Sequence, residues 1–390
     1  MASVQELPSP LAAQTQTPVQ VVQRARFYHP EMDVLRFFAF FLVYIYHTLP
    51  RDAQVYLNQG GSVEAAAWAS AVVSAGALGV DLFFVLSAYL ITELFIREFN
   101  NYGRVNVRAF YIRRILRIWP LYYGFLALIV ILIPVSLSGY LDWKYKTTFL
   151  LLAANWACAL WGFPPSVASH LWSVAIEEQF YLMWPLVITA FGIKRIGHVA
   201  LAMLLIATSA RLLLIFMGVV QPGIWCNTFA RLDPLACGAL IAVYLRGGAP
   251  RLNAFKRFAM FFAGLLLYIT ASRYAQAWGA TSLLYYPAAA AGSTLILLAC
   301  LSRAYTGQSR VSRTLIYLGR ISYGLYVFHL LGLSLAGRLS FGSKGLNRLV
   351  TEFILGAILT LILSIVSYEW FEKRFLRWKE KFTRIPSRPA

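Results

Sequence analysis

Charge is scarce in this chain, and acid is scarcer than base. Only 13% of the 390 residues are charged, 16 of them Asp or Glu against 35 Lys or Arg. An ordinary soluble domain carries about 25% charged residues, so a soluble monomer is excluded. Cysteine is also sparse. Cys158, Cys226, Cys237 and Cys300 lie far apart inside or beside apolar stretches, with no CxxC and no histidine at ligand spacing. That excludes a disulfide framework and a zinc site, and no metal is expected. Gly-rich phosphate loops, HExxH, GxSxG and EF-hand patterns are all missing, and with them the common signatures of nucleotide, metalloprotease, serine-hydrolase and calcium chemistry. No fixed-period repeat stands out.

What fills the chain is hydrocarbon. Hydrophobic residues make up 59% and the mean hydropathy is +0.63. The apolar residues form long blocks, at roughly 33–50, 68–96, 113–137, 147–163, 172–193, 197–219, 229–246, 257–276, 283–303, 315–338 and 346–372. Lipid is therefore the solvent for most of the chain, and helices rather than a barrel should span it. A net charge of +19 would point to nucleic acid in a soluble protein. Here the basic residues cluster between apolar blocks, which is the positive-inside pattern, and no nucleic-acid partner is expected.

Residues 1–26, rich in Gln, Pro, Ser, Thr and Ala, read as a disordered cytoplasmic tail rather than a signal peptide. Residues 27–375 form one membrane domain, and 376–390 a basic cytoplasmic tail. The short fourth block, broken by Trp161-Gly162-Phe163-Pro164-Pro165, decides the topology. If it does not cross, the clusters Arg97–Arg117, Lys194-Arg195, Arg246–Arg257, Arg303–Arg313 and the run from Lys373 share one side with the N-terminus. If it crosses, two clusters flip to the basic-poor side. The expected fold is an all-α polytopic transmembrane helix bundle of about ten crossings, with the fourth block re-entrant or interfacial and both termini cytoplasmic in the inner membrane.

Ionisable residues inside such segments cost several kcal/mol unless paired or hydrated, so each is a functional candidate. They are Arg36, His47, Asp81, Glu177, Arg211, Arg231, Asp233, Arg320 and His329. Arg36 lies near the start of the first block; His47 follows roughly 16 Å deeper along a helix. Arg36 reads either as a snorkelling anchor or as a ligand for an anion, and His47 either as a structural imidazole or as a base. Asp81 and Ser87 share an apolar run, as a packing contact or as chemistry. Arg114 and Arg117 share a helix face and could form a fork for phosphate oxygens, though a topogenic cluster would look the same.

In Leu171-Trp172-Ser173 with Glu177 and Glu178, Ser173 is the expected N-cap. Glu177 aligns with Tyr181 and Trp184, which makes it the interior acid, and Glu178 aligns with Val174 and Leu182. Asp233 before Pro234 reads as an N-cap, while Arg231 keeps more interest. His329 should lie near the depth of His47.

Taken in order, these elements resemble the membrane acyltransferase 3 family over about residues 30–375. The resemblance rests on the Arg36–His47 helix, Gly79-Val80-Asp81-Leu82-Phe83-Phe84-Val85-Leu86-Ser87, and Arg114-Ile115-Leu116-Arg117 before Pro120. It extends to Leu171-Trp172-Ser173 with Glu177 and Phe180-Tyr181, to Gly319 with Ile321-Ser322-Tyr323 and His329, and to Ser367-Tyr368 with Glu372. Ala88 and Arg374 depart from the family pattern, where glycine and proline are usual; both positions concern packing.

The resemblance implies an O-acyltransferase acting on a hydroxyl of a carbohydrate or small molecule. Its donor would be acyl-CoA, acetyl-CoA in the simplest case, taken from the cytoplasm. Arg114 and Arg117 would then hold the CoA phosphates, Arg36 would guide the thioester arm, and His47 would be the general base, oriented by Glu177 or Asp81. Tyr181, Arg231, Ser322, Tyr323 and His329 would contact substrate. Direct transfer and an acyl-histidine relay stay open, as do acyl length, acceptor and self-association; membrane lipid is the surrounding partner. The extracytoplasmic hydrolase-like domain fused to some relatives is not expected within 390 residues. The competing class is a proton-coupled secondary transporter, which predicts paired broken helices where only one clear break is visible.

Overall fold

The computed structural model describes residues 28–301, 309–340 and 345–383. The expected tail at 1–26 and the end of the basic tail, from 384, lie outside them. Among the described residues every extended regular element is a helix, and the only bridge is an isolated one between Gly139 and Ser166. The principal helices are α1 (Pro30–Thr48), α2 (Val63–Ala75), α3 (Gly79–Tyr102), α4 (Val107–Ala127), α5 (Trp143–Leu150), α6 (Ala154–Trp161), α7 (Trp172–Phe191) and α8 (Ile196–Phe216). After them come α9 (Leu232–Leu245), α10 (Ala254–Tyr274), α11 (Ser282–Leu301), α12 (Arg310–Arg320), α13 (Ser322–Leu339), α14 (Gly345–Ser367) and α15 (Lys373–Glu380).

Among the described residues six helical segments are long and apolar enough to cross a membrane by length and composition: Val63–Tyr102, Val107–Leu132, Ile193–Phe216, Ala254–Tyr274, Ser282–Leu301 and Gly345–Glu380. The remaining long helices fall short for a reason that bears on function. α9 is only 14 residues long, while α1, α7 and α13 carry Arg36, Glu177 and Glu178, and His329 in their apolar runs. The fourth apolar block folds as α5 and α6, eight residues each. A helix of that length rises about 12 Å, less than half of a ~30 Å hydrocarbon core.

Contacts sort the helix ends into two groups. At the basic end, Arg97 bonds the Gly247 carbonyl, Arg257 that of Ala299 and Arg113 that of Phe382. Gly319 of α12 lies there against the start of α1, and a Cβ on it would come 1.8 Å from the Asp33 carbonyl oxygen. At the other end, Tyr44 bonds the Phe353 carbonyl, Asn155 that of Cys226 and Tyr122 that of Phe149. Close helix approach matters in lipid, where packing replaces the hydrophobic drive. Gly79 shows it: a Cβ there would come 2.4 Å from the Ala39 carbonyl oxygen, so α3 crosses α1 backbone to backbone. The tenth apolar block is not one helix. It breaks at Ile321 into the amphipathic α12 and the buried α13. All four cysteines are free.

Candidate functional site

Helices α1, α3, α4, α7 and α13 enclose a narrow cleft of about 80 Å³. Arg36, Arg114 and Arg117 line it together with Ser87, Glu177, Tyr181, Ser322 and Tyr323. One turn of α4 separates Arg114 from Arg117, so both guanidinium groups reach the same space. Aromatic faces hold Arg114, whose Cζ lies 4.9 Å from the Tyr181 ring centre and 5.4 Å from that of Phe110. Ser87 Oγ donates to Glu177 Oε1 at 2.8 Å, joining α3 to α7. Arg36 pairs with Asp33 at 3.0 Å, one turn back on α1. Arg114 and Arg117 also line a recess of about 70 Å³ toward the basic end, with Arg113, Lys379 and Glu98.

On the far side of this cleft lies a cavity of about 690 Å³. Its wall includes His47, His170, Arg51, Tyr46, Trp172 and Trp225. His47 is exposed to it near the C-terminal end of α1. Val80 and Tyr326 line both spaces, so they form the neck between them. Tyr326 is fixed there: its hydroxyl shares a 2.5 Å hydrogen bond with Ser173 Oγ and donates to the His170 carbonyl at 3.1 Å.

The expected donor-binding residues Arg36, Arg114 and Arg117 thus converge with Glu177, Tyr181, Ser322 and Tyr323, whereas His47 faces the other space. Several expectations need correction. Neither acid orients His47. Asp81 is buried and takes a 2.9 Å ion pair from Arg231, and Glu177 is held by Ser87. Arg231 and His329, expected to contact substrate, are fully buried and stand in the lining of neither cavity. The Arg231 guanidinium is packed instead among rings, 4.3 Å from Trp225 and 5.0 Å from Tyr286.

The expected N-caps also fail. Leu171 caps α7, and Ser173 serves Tyr326. Arg231 caps α9, and Asp233 sits in its first turn paired with the buried Arg211. Glu178 is more buried than Glu177 and accepts from Trp119 Nε1 at 2.7 Å, so both acids point inward. Sequence reasoning missed His170 altogether. It stands at a helix start, where a polar residue draws no notice, yet its ring lies 4.7 Å from that of His329. The local signal was available: a histidine just before an apolar helix is as expensive in lipid as one inside it.

The family model described as an acyltransferase domain matches residues 29–369. Among curated proteins, "Putative O-acetyltransferase SAS0844" of Staphylococcus aureus (strain MSSA476) is 25% identical over 93% of this chain and 59% of its own length. "Putative peptidoglycan O-acetyltransferase YrhL" of Bacillus subtilis (strain 168) is 29% identical over 89% of this chain and 54% of its own. "O-acetyltransferase OatA" of S. aureus (strain NCTC 8325 / PS 47) is 32% identical over 55% of this chain and 34% of its own. The chain therefore spans little more than half the length of the relatives it matches most fully. No solved structure matches it significantly. With the model match running from the start of α1 to just past the end of α14, through both cavities, the chain belongs to the acyltransferase 3 family.

Proposed function

We propose that this chain is an integral-membrane O-acyltransferase that moves an acyl group, acetyl in the simplest case, from acyl-CoA to a hydroxyl of a carbohydrate or small-molecule acceptor. One observation carries the reading: the arginine-lined cleft and the histidine-lined cavity share Val80 and Tyr326 in their walls, so an anion-binding end and a base open on one passage. The bundle crosses the membrane about ten times, with the basic end and both termini cytoplasmic, as the distribution of Lys and Arg favours.

In this arrangement Arg114 and Arg117 take the CoA phosphates, whose oxygens suit planar two-donor groups. Arg36, Ser87 and Glu177 flank the thioester arm as it approaches the neck. His47 removes the acceptor's hydroxyl proton as the oxygen attacks the thioester carbonyl. The carbon–sulfur bond breaks, and the proton passes to the leaving thiolate. The wide cavity is rich in Trp and Tyr, with Gln221 and Gln276 between them and Arg51 as its only permanently charged lining residue among the described residues. Flat apolar faces with polar tips suit a sugar ring. The names of the relatives above, one of them a peptidoglycan O-acetyltransferase, support a carbohydrate acceptor.

Purified protein given labelled acetyl-CoA and a glycan acceptor should release CoA only when the acceptor is present. Uptake into vesicles without turnover would instead support a transporter. Orientation is tested by cysteine labelling at two exposed loop positions, Ala280 and Arg251. Ala280→Cys should react from outside the cell and Arg251→Cys only after permeabilisation.

A further inference from the structure

Two imidazoles, His47 and His170, line the wide cavity and a third, His329, is buried beside them; the reaction outlined above uses only His47. The His47 and His329 ring centres are 5.1 Å apart, and those of His329 and His170 are 4.7 Å apart. His329 is fully buried between the rings of Phe40 and Tyr326, at 6.2 and 5.5 Å. Its Nδ1 lies 2.5 Å from the Tyr326 carbonyl oxygen. A carbonyl can only accept, so Nδ1 carries the proton and a neutral His329 has its lone pair on Nε2. That nitrogen is buried and has no hydrogen-bond partner among the described residues.

A histidine that acts as general base is commonly held on its second nitrogen by a carboxylate. Among the described residues no carboxylate is hydrogen-bonded to His47: Arg231 takes Asp81, and Ser87 takes Glu177. Nor do the three rings form a metal site, since no group of three His, Cys, Asp or Glu among the described residues is placed to hold an ion. Two imidazoles that share an N–H···N bond near 2.9 Å have centres roughly 5 Å apart, close to the separation of His47 and His329.

Building on the acyltransferase reading, we propose that His329 is the positioning residue for His47, its Nε2 receiving the N–H of His47 while the other His47 nitrogen faces the acceptor. His47 is exposed to an open cavity and has room to turn into line; such bonds often tighten only once substrate is bound. In the reaction the acceptor proton moves to the cavity-facing nitrogen of His47 as the new C–O bond forms and the C–S bond breaks. It then leaves with the thiolate. The proton shared with His329 stays in place throughout, fixing the tautomer and spreading the transient positive charge.

The test uses the full chain in lipid nanodiscs, with His329→Asn, His329→Gln and ¹⁵N-labelled histidine; five histidines make the spectrum tractable. Asn places its amide nitrogen near Nδ1, keeping the Tyr326 contact but losing the Nε2 acceptor. Gln reaches the Nε2 position with an acceptor. We expect His329→Asn to lower kcat roughly 10²-fold with the KM of each substrate within about twofold, and His329→Gln to retain about tenfold more turnover than His329→Asn. His47 should show one neutral tautomer in the wild type and a mixture in His329→Asn. Wild-type kcat in His329→Asn, or an unchanged His47 tautomer with the shift appearing at His170 instead, overturns the inference. Should either variant fail to fold, the wild-type spectrum alone decides: two interconverting His47 tautomers would overturn the proposal. Absence of acyl transfer by the wild type would sink the acyltransferase reading, and the spectra would still test the His47–His329 contact on their own.

Discussion

The two cavities lie one tyrosine apart and are built on opposite principles. The narrow cleft concentrates charge, with Arg36, Arg114, Arg117 and Glu177 around about 80 Å³. The wide one spreads aromatic surface over about 690 Å³ and, among the described residues, is lined by a single Arg and two histidines. In a low-dielectric bundle, guanidinium groups confined in a small space bind an anion strongly. A large chamber with few charges does the reverse, admitting a bulky neutral molecule and leaving a neutral imidazole free to accept a proton. On the proposed function this contrast is a division of labour, with donor affinity on one side of Tyr326 and chemistry and acceptor choice on the other.

The sharpest way to break that division is to remove the base. His47→Ala should lower turnover by about 10²- to 10⁴-fold while leaving donor affinity unchanged, as measured by calorimetric titration with a non-transferable acyl-CoA analogue. Equal loss of donor affinity would mean that the two spaces act as one site. The next largest effect should be on stability. Asp81→Asn leaves Arg231 buried without its partner and should destabilise the protein by about 3–5 kcal/mol, read as a lower Tm in detergent. The double variant Asp81→Leu with Arg231→Met should recover much of the loss. An inactive Asp81→Asn protein with a normal Tm would return Asp81 to the chemistry.

Replacing Arg114 and Arg117 together with Lys keeps the charge and hence the topology but loses the planar fork. The KM for acyl-CoA should rise about tenfold, with a much smaller fall in kcat. Wild-type saturation curves would reduce the pair to a topogenic cluster. The smallest effect sharpens the comparison from the other side. Trp225→Leu removes an aromatic wall of the wide cavity, and stacking of this kind is worth about 0.5–1.5 kcal/mol. The acceptor KM should therefore rise a few-fold while the donor KM stays put.

Much of this architecture was legible before any coordinates. The apolar blocks became helices, and Arg114 and Arg117 met because a helix repeats every 3.6 residues. The partnerships were not legible. Asp81 and Arg231 are 150 positions apart, and the expected role of Asp81 changed once its partner was known. The spacing of one helix face favours Glu177 as the interior acid, yet Glu178 is buried as well, because Trp119 of a neighbouring helix offers it a donor. The break at Ile321 was hidden because α12 continues the apolar pattern at low density, while α13 carries the buried His329.

What the sequence alone determined is the solvent, the helical class and the family motifs, since each follows from composition, from local periodicity or from residues close together in the chain. Transfer of apolar surface out of water and satisfaction of the backbone inside lipid leave few alternatives, and they act block by block. Tertiary structure alone decided which charges neutralise one another, that the arginines and His47 open on two spaces joined at Tyr326, and that the ring beside His47 is another histidine. Those facts depend on how helices distant in sequence cross. In lipid the crossings are set by backbone close approach at residues such as Gly79 and Gly319 and by interhelical polar bonds, neither of which a linear pattern records.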